Sequence, residues 1–148
     1  MKKSHLTRLT VIGLLFGVII TLTGIYIATA QAEKSGVYSQ NGGTVTDTGK
    51  TYTATDPDQS GVFITNSGIY NLTDSSVTKT GATSSIKESV FNGLNAGILA
   101  EGGSTISVAD CAVTTDANGA SGVFTSGAGS TVNLSKVNIK TSAAASCG

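Results

Sequence analysis

The chain has no tryptophan, a single proline, a single histidine and two cysteines among its 148 residues, and aromatic side chains make up 5% of it. Large rings dominate the buried area of a thick globular core, so their scarcity argues against a core of that kind. Two cysteines cannot build the dense disulfide framework that holds small secreted domains together. His5 and Arg8, the one histidine and the one arginine, both lie near the N-terminus. From Glu33 onward the chain has neither, and so lacks the side chain most used as a general acid or base near neutral pH. Over the same stretch six lysines face nine acids, a net charge of −3. The formal neutrality of the whole chain comes from its first residues. No basic patch is present to hold phosphates, which excludes nucleic acid as a partner.

What the first 32 residues do have is the form of a targeting segment. Lys2, Lys3 and Arg8 make a basic start, Leu9 to Ile27 is nearly all apolar or small, and Ala30-Gln31-Ala32 fits a small-x-small cleavage site. Met1 to Ala32 is therefore read as a bacterial signal peptide, with Glu33 as the new N-terminus. The apolar run approaches the length of a spanning helix, so an uncleaved membrane anchor is the alternative. Either way the remainder is exported, and contact with the membrane is confined to this segment.

The remaining 116 residues, Glu33 to Gly148, are dominated by glycine, serine, threonine and short apolar alternations. They repeat. Glycine followed by two apolar residues opens at Gly36, Gly61, Gly97 and Gly122, and Gly148 stands where another opening begins; the steps are 25, 36, 25 and 26 residues. The long step carries an insertion of about 11 residues within Gly81 to Asn95, where residues 86–91 read as an extra strand or one helical turn. A period near 25 residues with this composition is the pattern of a stacked β-solenoid, in which each strand pairs with its equivalent in the next coil about 4.8 Å away. Insertions belong at turns, where they loop out without breaking the stack.

Equivalent positions then form columns. The alignment predicts Val37, Val62, Ile98 and Val123 in one column and Tyr38, Phe63, Leu99 and Phe124 in the next. It places Val45, Tyr70, Ile106 and Val132 in a third column and Tyr52, Val77, Val113 and Ile139 in a fourth. The adjacent apolar pair after each glycine cannot both face inward on one strand, so one member covers a corner or the outer face. Ile106, Val108, Val113, Val132, Leu134 and Ile139 are expected to be buried. Asp47 falls where Leu72, Val108 and Leu134 sit, which means either that the first coil is a cap or that its register slips.

The two best copies, NAGILAEGGSTISVADCAVTT and SGVFTSGAGSTVNLSKVNIKTS, resemble the right-handed parallel β-helix repeats of bacterial adhesin-like surface proteins and autotransporter passenger regions, within the pectin-lyase-like superfold. The resemblance covers Ser60 to Gly148 well and Ser35 to Gln59 weakly. It implies an all-β, right-handed solenoid of coils of about 25 residues, used as a non-enzymatic surface that contacts a glycan or protein on a host or neighbouring cell. A structural stalk is the alternative. Proteins of this kind have many more coils, so residues 33–148 are expected to be a partial β-helix, truncated at its C-terminal end, with further coils in a full-length chain.

The chemistry-bearing residues point to no site. Cys111 aligns with Val137, an inward position, while Cys147 begins the next coil; on different parts of the perimeter they are not expected to bridge. Asp56-Pro57-Asp58 is read as a solvated turn in preference to a calcium loop. Asp74, Asp110 and Lys136 share a column, read as exposed rather than as an ion site, since like charges one coil apart repel. The sequons at Asn71 and Asn133 lie in predicted strands and are read as chance. Enzymes of the superfold use clustered aspartates with arginine or histidine. Lysine could replace these only if burial lowered its pKa, and every lysine here reads as exposed. Ice binding through Thr44-Val45-Thr46 and Thr51-Tyr52-Thr53 is disfavoured because the pattern does not recur in later copies. No catalytic, cofactor-binding or metal-ligating residue is assigned.

Overall fold

The computed structural model describes residues 33–144. The targeting segment, Cys147 and Gly148 lie outside the described residues. Twelve short strands wind through four coils. The first coil is β1 (Ser35–Asn41), β2 (Thr44–Thr48) and β3 (Thr51–Ala54). The second is β4 (Gln59–Thr65), β5 (Ile69–Thr73) and β6 (Ser76–Lys79). After α1 (Ile86–Asn92) come β7 (Ala96–Glu101), β8 (Thr105–Ala109) and β9 (Ala112–Thr115), then β10 (Ser121–Ser126), β11 (Thr131–Ser135) and β12 (Asn138–Thr141). Each strand pairs in parallel with its equivalent in the next coil, giving three four-stranded sheets: β1-β4-β7-β10, β2-β5-β8-β11 and β3-β6-β9-β12. The parallel solenoid read from the repeat is the observed fold.

Register follows the predicted columns over most of the stack. Val62 pairs with Ile98 and Ile98 with Val123. Val45, Tyr70, Ile106 and Val132 stack, as do Tyr52, Val77, Val113 and Ile139. Alternation with period two sends Val62, Ile64, Tyr70, Leu72, Val77, Ile98, Ile106, Val108 and Val113 into one core between the sheets. Leu99 and Phe63, the second members of the apolar pairs, fall on the opposite phase, on the outer face of the first sheet. The glycines before them have a packing reason. A methyl group on Gly97 would sit 2.6 Å from the Gly122 carbonyl oxygen and 2.9 Å from Val113 Cγ1.

The first coil departs in two ways. In β1 it is Tyr38, not Val37, that pairs with Val62, and Ser39 pairs with Phe63. The cause is the next turn, which spans Gly42-Gly43 where the second coil uses Asn66-Ser67-Gly68, one residue more. A one-residue shift exchanges the faces of a strand, so Val37 is 45% exposed and Tyr38 turns inward. In β2, by contrast, the register holds and Asp47 does pair with Leu72. An inward carboxylate needs donors. Tyr70 Oη donates to Asp47 Oδ2 at 3.0 Å and Tyr52 Oη at 3.3 Å, while Lys50 Nζ lies 3.5 Å from Oδ1. Tyr38 stacks on Tyr70 at 4.7 Å between ring centroids. Gln40 Nε2 donates to the carbonyls of Gly42, Gly43 and Ile69. The first coil thus closes the apolar column with tyrosines and satisfied polar groups, as a cap does.

At the fourth coil the burial expectation is corrected. Val132 and Ile139 are only partly buried and Leu134 is 46% exposed. Their register is inward, with Leu134 on Val108. No described strand stacks over β10, β11 and β12, so one side of each side chain stays open.

Between the second and third sheets every coil turns on one left-handed residue. Gly49, Asp74, Asp110 and Lys136 have φ of 67°, 49°, 53° and 54° and follow equivalent positions Thr48, Thr73, Ala109 and Ser135. In the second and third coils the next residue is buried and accepts from the preceding coil. Lys50 N–H donates to Ser75 Oγ at 2.9 Å, and Ser75 N–H to Cys111 Sγ at 3.3 Å. Cys111 is a buried free thiol, in the core role read from its alignment with Val137.

The insertion contains a helix rather than a strand. Ser85 caps α1 by accepting from Glu88 N–H at 3.2 Å, and Gly93, at φ 70°, ends it. Burial decides the energetics of the stack. Leu72→Ala, at a site with no exposure, is expected to cost about 2–4 kcal/mol. Leu134→Ala should cost less than about 1 kcal/mol, since its neighbours already leave it half in water. Urea unfolding of both variants checks the assignment; equal losses would contradict it.

Candidate functional site

Two features stand out from the scaffold, an outer polar surface and a buried polar corner. On the second sheet the outward phase carries Thr44, Thr46 and Thr48 in the first coil and Thr131, Asn133 and Ser135 in the fourth, all exposed. Between them come Ile69, Asn71, Thr73, Thr105, Ser107 and Ala109. No charged residue occupies this phase. On the third sheet Thr53, Thr78 and Thr114 form one outward column, followed by Lys140. The side chains are short, and several are joined between coils. Thr48 Oγ1 and Thr73 Oγ1 are 2.8 Å apart, Asn71 Nδ2 donates to Thr46 Oγ1 at 3.3 Å, and Ser76 Oγ to Thr51 Oγ1 at 3.2 Å. The columns arise because period-two alternation and in-register pairing of successive coils bring similar residue types to the same outward positions.

One group of acids falls in the exposed column the sequence indicated. Asp74, Asp110 and Lys136 share the left-handed turn column, and Lys136 Nζ lies 3.5 Å from Asp110 Oδ1 on an exposed edge. Asp56 is exposed, but Asp58 is not the freely solvated turn residue expected. Asp58 Oδ1 accepts from Ser84 N–H at 2.8 Å and Thr83 Oγ1 at 3.0 Å, fastening the insertion to the preceding turn. Burial works to raise the Asp58 pKa, but these hydrogen bonds and the Lys79 charge together hold it below the ordinary value. Among the described residues no group of three or more His, Cys, Asp or Glu side chains could hold a metal ion.

The lysine expectation is corrected at one position. Lys79 has no exposure at all. It ends β6 two residues beyond inward-facing Val77, so the period-two phase turns it into the core, in register between Ala54 and Thr115. That phase is the signal in the sequence. Its ammonium donates to the Asp56 carbonyl oxygen at 2.8 Å. Three buried polar atoms lack a hydrogen-bond partner among the described residues: Ser60 Oγ, Asn95 Oδ1 and Thr115 Oγ1. Ser60 lies in β4, Asn95 immediately precedes β7, and Thr115 ends β9 in register with Lys79. Asn95 Nδ2 donates to Gly81 O at 3.0 Å. Burial lowers the Lys79 pKa from 10.5 to about 8, against the opposing charges of Asp58 and Asp56. The amine is therefore of the kind that acts as a base near neutral pH, but with no exposed surface it meets no substrate in this conformation.

No family model, no curated protein and no solved structure matches the chain.

The pH dependence of stability follows from the shift at Lys79. Between about pH 8 and 10.5 the unfolded chain holds a proton that the folded chain has released, so stability rises with pH. Below that window the fold carries the full cost of burying the charge, on the order of 3 kcal/mol. The core-facing tyrosines, one buried and two partly buried, act in the opposite sense. Burial raises the pKa of Tyr38, Tyr52 and Tyr70, so above about pH 10 the unfolded chain ionises first and stability falls. Urea unfolding between about pH 7 and 9.5 should show a gain of about 2 kcal/mol in the native chain. Lys79→Met should be the more stable at pH 7 and lack this gain; a rise that survives the substitution would assign it to another group.

Proposed function

We propose that the chain is a non-enzymatic, exported, adhesin-like surface segment whose solenoid presents its outer faces to a glycan or protein on another cell. The observation that carries this reading is the second sheet's outer face, an array made mostly of Thr, Ser and Asn, with Ile69 and Ala109 among them and no charged member. Hydroxyl and amide groups offer both donors and acceptors, and short side chains on a rigid sheet lose little entropy on contact. The basic, apolar leader supports export, and the repeats resemble those of surface adhesins. The lack of histidine and arginine from Glu33 onward, and the enclosure of Lys79, support a role in contact rather than turnover.

A structural stalk is the second reading. The outer hydrogen bonds between the first and second coils favour it, since they spend polar groups on the stack instead of leaving them for a ligand. The two readings separate at the fourth coil, where Thr131 and Asn133 are exposed.

Binding of the purified chain to a glycan array and to immobilised cell-surface proteins tests the proposal. At least one class of probe should be retained, and Thr131→Lys with Asn133→Lys should weaken retention at least about tenfold by placing charge on the contact face. Lys87→Gln, on the insertion, should leave it unchanged. Absence of any retention, or equal retention by the double variant, would favour the stalk.

A further inference from the structure

The corner around Lys79 is also where the insertion meets the solenoid. Residues 80–95 leave β6 directly after Lys79 and re-enter the stack at β7. They are fastened mainly by polar contacts. Thr80 and Gly81 N–H both donate to Ala54 O, Asp58 N–H donates to Ala82 O, and the Asp58 carboxylate holds Thr83 and Ser84. On the far side Ser89 Oγ donates to Gly119 O at 2.6 Å. Apolar anchoring rests on Leu94, 2% exposed at the end of the segment. Ser89 is the one buried residue of α1, while Phe91 is 71% exposed and Ile86 and Val90 are also exposed. A segment held by one large buried apolar side chain opens at less cost than the strands of the stack. Just past the helix, Gly93 lies against Phe124 and Leu99 on the outer face of the first sheet.

We propose that this corner is a proton-operated latch on the insertion: protonation of Lys79 favours release of residues 80–95 from the stack, uncovering Leu99 and Phe124, and loss of that proton holds them shut. The buried ammonium has three donors and one acceptor, the Asp56 carbonyl. Opening gives the other donors water, and it relieves Asn95 Oδ1, on the segment itself, and Thr115 Oγ1, in register with Lys79, both without partners in the closed form. A neutral amine loses far less by staying buried, so the closed form gains when the proton leaves.

The surrounding charges shape the balance without replacing Lys79 as the switch. Asp56 and Asp58, on the turn between β3 and β4, favour the charged amine, and Asp58 is already occupied by the insertion. After β9, the Asp116 carboxylate accepts from Ser142 Oγ at 3.0 Å. On α1, Glu88 accepts from Asn92, and Lys87 is exposed. Glu101, at the far end of β7, pairs with Lys34 at 2.6 Å. Asp110, on the turn before β9, faces Lys136. The low pKa of Lys79 places its titration where the switch would operate.

Amide hydrogen exchange of the full chain, normalised to chemical exchange rates, tests the latch. Between about pH 7 and 9.5, protection of residues 80–95 should rise at least about tenfold, through openings that leave β8 the better protected at both pH values. In Lys79→Met the insertion should be protected at both pH values. The Lys79 Nζ resonance in lysine-labelled native protein should titrate near pH 8, a measurement that stands even if the variant fails to fold. An insertion whose protection ignores pH, a pH response retained in Lys79→Met, or a Lys79 midpoint at the ordinary lysine value would overturn the proposal.

Discussion

Parallel pairing between equivalent strands is the constraint on which the rest of the structure depends. Each strand takes its hydrogen bonds from the coils on either side, so a residue's fate is set by its column as much as by its own chemistry. A column must keep one character along the stack, inward and apolar or outward and polar. The core is consequently narrow, built from Val, Ile, Leu and one fully buried Tyr70, and needs no tryptophan. The glycines serve the same constraint, because a methyl at Gly97 would strike the backbone of the next coil.

Where a column changes character, the protein supplies a compensation. Asp47 takes an inward place and is met by two tyrosine hydroxyls. Lys79 takes another and is met by one carbonyl, with the unpartnered Thr115 hydroxyl in register beside it. The contrast is one of completeness. The first arrangement is satisfied and closes the core at one end; the second is under-satisfied and directly precedes the segment that interrupts the repeat. Irregular sequence and incomplete polar pairing thus meet at Lys79 and Asn95, at the two ends of the segment that joins the second and third coils.

Much of this is legible in the sequence, and the failures share a cause. The columns through Val62, Tyr70 and Val77 are readable because period and polarity agree there. In β1 the glycine spacing misleads by one residue, because the shorter turn at Gly42-Gly43 resets the phase before β2. For Leu134 the alternation gives the direction but not the burial, which depends on a neighbour and not on its own strand. Lys79 escapes a reading that equates charge with exposure, although the Val77-Thr78-Lys79 alternation already turns it inward. The helix at residues 86–92 lies in the part with no repeat to compare, so only its place as an insertion is evident. The outer face of the second sheet is legible residue by residue, but its lack of charge emerges only when the coils are stacked.

The central claim is that columns of parallel-paired residues organise the chain, and backbone NOE spectroscopy of β9 tests it most directly. Val113 should show interstrand contacts to both Val77 and Ile139, its partners in the adjoining coils. Close Hα–Hα contacts between β8 and β9, the mark of an antiparallel hairpin within one coil, would contradict it.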